Sequence, residues 1–143
     1  MRLTAAVARQ IVYVMKKQTN RERGALGEQY AEKFLKKQGY KILKKNYHCK
    51  LGEIDIIARD GGEIVFVEVK TRPVNPYVPG MYAVDRKKRE HILRTAAWYL
   101  SESSCTLQPR MDVIEVELDG ADRPVGVNHI KAAFIQTGGY ARY

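Results

Sequence analysis

The stretch GEIDIIARDGGEIVFVEVKTR, residues 52–72, holds two apolar segments separated by Asp60-Gly61-Gly62. Segments 53–59 and 63–70 are rich in Ile, Val and Phe, which fit a pleated surface, and the Gly-Gly pair marks a tight hairpin turn. A two-residue turn at Gly61-Gly62 sets the register: Asp55 falls opposite Glu68, and Glu53 opposite Lys70. Opposed residues point to the same face with Cβ atoms about 5 Å apart. One face is therefore expected to present Glu53, Asp55, Glu68 and Lys70 together. Both strands are otherwise apolar on both faces, which implies a largely buried sheet. Two facing carboxylates there repel, and desolvation penalises their charge. A divalent cation, Mg²⁺ or Mn²⁺, held by Asp55 and Glu68 removes both problems, because such ions take hard oxygen ligands and complete their shell with water and phosphate. The structural alternative is that Lys70 forms salt bridges with Glu53 and Glu68 while Asp55 bonds turn amides. A one-residue slip in register separates the two faces.

Outward from the hairpin, residues 41–48 read as a preceding strand. Residues 21–38 read as a helix: Leu26, Tyr30, Ala31, Phe34 and Leu35 fall on one side and Lys33, Lys36 and Lys37 on the other, with Gly39 as a stop. After the hairpin, residues 71–83 carry Pro73, Pro76, Pro79 and Gly80 and read as a stiff loop. Its Tyr77 and Tyr82 either stack on bases or pack beneath the loop. Residues 85–100 form a second helix with Asp85 as N-cap and Ile92, Ala96 and Tyr99 as its apolar stripe. Residues 111–118, MDVIEVEL, read as a fourth strand, and 128–134 as a fifth strand or a turn of helix. The order is helix, three strands, helix, strand. A helix between strands three and four permits a parallel crossover in a mixed sheet, an α/β fold. The domain is expected to span 21–136, after an N-terminal helix or arm at 1–20 and before a flexible tail at 137–143.

Lys and Arg total 25 against 16 Asp and Glu, a formal charge of +9, which favours polyanionic partners. No apolar run approaches the ~20 residues a membrane-spanning helix needs. Residues 1–15 lack the unbroken apolar core of a signal peptide, since Arg9 and Gln10 interrupt them. They read as an amphipathic helix or arm, with a membrane-surface helix the weaker reading. Two isolated cysteines, Cys49 and Cys105, without a secretory signal fit a cytoplasmic protein. Arg86, Lys87, Lys88 and Arg89 form a dense cationic cluster, and Lys87, His91 and Arg94 share one helical stripe. These side chains, with Arg72 after the second hairpin strand, suit contacts with the phosphates of nucleic acid.

Several motifs carry a resemblance. RGALGEQYAEKFLKKQGYKIL (23–43), Asn46-Tyr47, GEIDIIARD, VFVEVKTR, AVDRKKREHI with AAWYL, and RMDVIEV resemble the YraN-like family of small bacterial proteins over residues 21–116. That family is similar to Holliday junction resolvases and to the restriction-endonuclease-like, PD-(D/E)xK, fold. The resemblance implies an α-β-β-β-α-β core with a mixed central sheet flanked by helices. It implies Asp55 as the motif's Asp, Glu68-Val69-Lys70 as its E-x-K, and Glu28 as an additional acid. Ile54 stands where the motif carries proline. Glu53 is expected to support Lys70, and Asp112 to serve as a structural cap or partner of Arg110. The implied activity is that of a metal-dependent endonuclease hydrolysing phosphodiester bonds, with branched DNA among its substrates. The alternative is an inactive nucleic-acid-binding or protein-interaction module. A resolvase needs two active sites, so a homodimer is implied by analogy.

Overall fold

In the computed structural model, which describes residues 2–74 and 84–134, the chain begins with one long helix. α1 (Ala5–Lys37) starts on Thr4, whose hydroxyl accepts from the Val7 N–H, and ends before Gly39 at φ 88°. The segment 1–20 and the helix expected at 21–38 are thus joined in one element, since no proline interrupts them. Then follow β1 (Lys41–Cys49), β2 (Gly52–Asp60), β3 (Glu63–Pro73), α2 (Arg86–Ser103), β4 (Gln108–Leu118) and β5 (Pro124–Ile130). The strands form one sheet in sequential order. β3 and β4 are parallel and the other neighbours antiparallel. The order α-β-β-β-α-β and the mixed sheet are those the sequence implies.

Several boundaries differ from the sequence reading, and α2 runs on to Ser103 rather than 100. β3 continues through Thr71, Arg72 and Pro73 because these residues pair with Val116, Glu117 and Leu118 of β4, so the loop begins later than Thr71. β4 begins at Gln108. The fifth strand covers Pro124–Ile130 rather than 128–134, and the chain turns with Ala132 at φ 50°. Gly126 and Asn128 interrupt the apolar pattern of this edge strand, which hid its start. Tyr77, Tyr82 and the tail at 137–143 lie outside the described residues.

The sheet is covered on both faces. Ala31 and Leu35 of α1 pack on Ile56, Ala58, Val65, Val67, Ile114 and Val116. Ala96 of α2 packs with Ile54, Ile57, Ile64 and Phe66, and Ile92 with Val113. β3 is buried on both sides, which explains its continuous apolar run.

The β2–β3 register places Ile56 opposite Val67 and Asp60 opposite Glu63, as a Gly61-Gly62 turn requires. Gly61 takes φ 57°, a conformation that glycine adopts without strain. The ladder stops at Ile56 and Val67, although β2 stays paired with β1 as far as Gly52 and β3 with β4 as far as Pro73. A fork therefore opens between β2 and β3. Alternation also breaks there: Ile54 joins Ile57 on the α2 side, whereas Ile56 and Ala58 face α1. Across from Asp55, Asn46 has φ 50° and the β1–β2 register skips that pair.

Candidate functional site

The fork is where the chemistry-bearing residues gather. Among the described residues, Glu28 of α1, Glu53 and Asp55 of β2, Glu68, Lys70 and Arg72 of β3 and Lys88 of α2 line one cavity of about 850 Å³. Glu28 reaches it because α1 crosses β3 closely. A side-chain carbon on Gly27 would overlap the Thr71 hydroxyl, so only glycine lets the helix lie this near.

Asp55 and Glu68 are not a ladder pair. Because the strands part, the Asp55 carboxylate takes over the hydrogen bond a strand would have made: the Val69 N–H donates to Asp55 Oδ2 at 2.7 Å. Glu68 is 8% exposed. Lys88 Nζ approaches Glu68 Oε1 at 3.6 Å, so this member of the basic cluster turns inward to the acids. Glu53 meets His48 Nε2 at 3.1 Å; as β2 leaves β3, its opposition to Lys70 is lost from the ladder.

The acids are strained electrostatically. Burial, then repulsion from Asp55, pushes Glu68 from the ordinary carboxylate range up to about 7, against the pull of Lys88 and Lys70. Burial also raises Asp55, opposed by the Val69 N–H and Lys88. Glu28 is raised by burial and by the charges of Asp55 and Glu53. Asp55 and Glu68 line the same cavity, where the charge of Asp55 raises Glu68. Among the described residues no three His, Cys, Asp or Glu side chains form a closed metal cage. Two desolvated carboxylates lining one cavity nevertheless match the donor set of a hard divalent cation completed by water and phosphate.

The remaining expected contacts divide. Arg72 Nε touches Glu115 Oε1 at 2.6 Å as a charge contact without hydrogen-bond alignment, and its Nη2 donates to Glu117 at 3.2 Å. Arg86 pairs with Glu90, and Arg89 Nε donates to the Val84 carbonyl. Lys87 and His91 line a shallower hollow with Gly52 and Glu53, and Arg94 is exposed. Asp112, fully buried, accepts from Arg110, from His129 and from the Ala132 N–H. It is the structural partner of Arg110 that its position suggested.

The sequence reading missed Asn20, Arg23 and Gly24, which precede Glu28 on the same wall of the cavity. Their helical spacing from Gly27 and Glu28, three or four residues for Arg23 and Gly24 and seven or eight for Asn20, was the available signal. It also missed Asp119 and Asp122, which reach the rim from the β4–β5 turn. Arg23 Nε bridges to Asp122 Oδ1 at 2.8 Å. No local pattern announces that contact, because it depends on the parallel crossover.

Curated proteins match most of this chain in sequence. A protein of Moorella thermoacetica is 46% identical over 117 residues, covering 81% of this chain and 98% of the relative. One of Caldanaerobacter subterraneus subsp. tengcongensis is 47% identical over 123 residues, covering 84% of this chain and all of the relative. One of Thermotoga petrophila is 45% identical over 100 residues, covering 70% and 91%. All three carry the name UPF0102 protein. The family profile matches residues 27–116, a stretch that holds Glu28, Asp55, Glu68, Lys70 and Lys88, and the chain therefore belongs to the uncharacterised protein family UPF0102, the YraN-like group that its motifs resemble.

Proposed function

We propose that this protein is a metal-dependent nuclease acting on phosphodiester bonds of nucleic acid, with branched DNA among its substrates. The observation that carries the reading is the pairing of Asp55 with Glu68 in a desolvated fork, where burial and mutual repulsion push Glu68 up to about 7. Asp55 and Glu68 would hold Mg²⁺ or Mn²⁺. Such an ion, when bound, neutralises phosphate charge and makes water a better nucleophile. Lys70 lines the same cavity and is placed in this reading to orient the attacking water or to balance charge on the phosphate. Glu28 is a further acid of the cavity and supports the arrangement from α1. Lys88, now 3.6 Å from Glu68, would be available to a phosphate oxygen if an ion took its place beside that carboxylate. Lys87 and Arg94 supply phosphate contacts along α2, with Arg72, Arg86 and Arg89 contributing where their present partners release them.

The test is cleavage of branched, duplex and single-stranded substrates with Mg²⁺ and Mn²⁺. Asp55→Ala and Glu68→Ala should lose metal affinity and cleavage together. Lys70→Ala should keep most metal binding and lose cleavage, because a cation is not a ligand for a cation. The approach of Lys88 to Glu68, which offsets that charge without an ion, favours a second reading, a nucleic-acid-binding module without turnover. Salt-sensitive binding with no cleavage under any metal would select it.

A further inference from the structure

The first half of α1 buries no side chain. Val7, Ile11, Val14 and Met15 recur on one helical face, with Leu3 just before the helix. All five are 42–64% exposed. At about 100° per residue, this face points roughly 130° away from the one carrying Gly27, Ala31 and Leu35. It is therefore not a continuation of the surface that packs on the sheet. The opposite side of the same half carries Arg9, Lys16 and Lys17, and residues 2–21 hold Arg2, Arg9, Lys16, Lys17 and Arg21 with no acid before Glu22. None of residues 2–17 lines the cavity, and the family match begins only at Gly27, so this apolar and basic half-helix stands outside the site.

Charge and geometry choose among occupants. A second copy would bring two wholly basic segments together with no acid to pair across them. The apolar stripe also spans only about two heptads, short of the three or four that sustain a coiled coil. Nucleic acid would satisfy the cations but leave the stripe in water. An acidic lipid surface takes both, with aliphatic side chains in the acyl boundary and cations among phosphate headgroups. No helix among the described residues is long and apolar enough to cross a membrane, so the segment lies in the interface plane. We propose that residues 2–17 dock this protein on an anionic lipid surface.

The full chain would be sedimented with vesicles of phosphatidylglycerol in phosphatidylcholine, and with phosphatidylcholine alone, at low and high salt. Binding is expected only to the anionic vesicles and should weaken with salt. The variant Val7→Asp/Ile11→Asp should lose it with an unchanged melting temperature, since neither side chain belongs to the core. Lys16→Ala/Lys17→Ala should lower partitioning by about tenfold or more, as two cations leave the surface. Equal binding to both vesicle types or binding to neither would overturn the proposal. So would a dimer that Ile11→Asp dissolves in a chain that ignores lipid.

Discussion

Asp55 performs two tasks that substitution can separate. Its Oδ2 accepts the Val69 N–H at 2.7 Å, and its charge faces Glu68. Asp55→Ala removes both and leaves a part-buried amide unsatisfied, at a cost of about 1–3 kcal/mol. Asp55→Asn keeps an acceptor and removes the repulsion, so it is expected to be neutral or stabilising in metal-free protein, as urea unfolding of the two variants would read out. A strongly destabilised Asp55→Asn would mean that the charge itself holds the fork closed. Glu68 carries the complementary pH signature. Its native value near 7 exceeds the ordinary 4.5, so between these values the native state binds more protons than the unfolded chain. Stability is fully present below about 4.5 and is lost as pH rises through about 7. The loss amounts to about 3 kcal/mol at most. Glu68→Gln should flatten the fall in melting temperature between about pH 5 and pH 8, and it should be the more stable protein at the upper end. A wild-type profile already flat across that range would remove the desolvated-acid account.

Elements decide which side chains can meet, and α1 shows how little tolerance they have. Gly27 lies against Thr71 so closely that an added methyl would overlap the hydroxyl. Gly27→Ala is expected to lift α1 from β3, destabilise the fold by about 1–3 kcal/mol and draw Glu28 away from the acids. Thermal melting reads the first effect, and metal titration reads the second. On α2 the basic cluster that looks uniform in sequence is divided by geometry. Arg89 bonds the Val84 carbonyl and Lys88 turns to Glu68, whereas Lys87 stays outward. Lys87→Ala should therefore reduce the salt slope of nucleic-acid binding by about 1 with little change in melting temperature, and Arg89→Ala should mainly lower the melting temperature. The same contrast marks what sequence could reveal. The helix and strand order and the Gly61-Gly62 register are local, written in periodicity and turn chemistry, and they bring Asp55, Glu68 and Lys70 toward one cavity, whereas Glu28 on its wall was pointed to by the family resemblance alone. The parting of β2 from β3 was not legible, because nothing in the apolar pattern or the turn of the hairpin marks where its ladder ends. Nor was the turn of Lys88 toward Glu68, or the engagement of Arg72 by Glu115, itself only 1% exposed. Those contacts need the parallel β3–β4 pairing before the residues share a face.

At the scale of the whole molecule, the two ends of the sheet handle buried charge differently. At one end Arg110 bridges Asp60, Glu63 and Asp112, and also bonds Tyr40, so each charge meets an opposite one and Asp112 is held below the usual carboxylate range. At the other end Glu28, Asp55 and Glu68 all rise above it. A molecule of net charge +9 thus keeps a pocket of acids whose charge Lys88 and Lys70 offset only in part, which is the expected arrangement if an added cation completes it. The consequence is a linkage between metal, proton and fold. An ion that binds only the native state stabilises it by about 2.7 kcal/mol at a hundredfold excess over its dissociation constant. For a chain of this size that is a rise in melting temperature on the order of 10 °C. The rise should be large near pH 8, where Glu68 is ionised, and shrink as pH falls through about 7, because protons then compete for the same oxygens. Asp55→Asn and Glu68→Gln should abolish it, whereas Lys70→Ala should retain it. Calorimetric scans with Mg²⁺ or Mn²⁺ across that range, with nucleic acid present and absent, measure each of these arms. A metal effect that ignores pH and survives both acid substitutions would locate the ion elsewhere, and none at all, even with nucleic acid bound, would leave the acids as a structural cluster and remove the basis for cleavage.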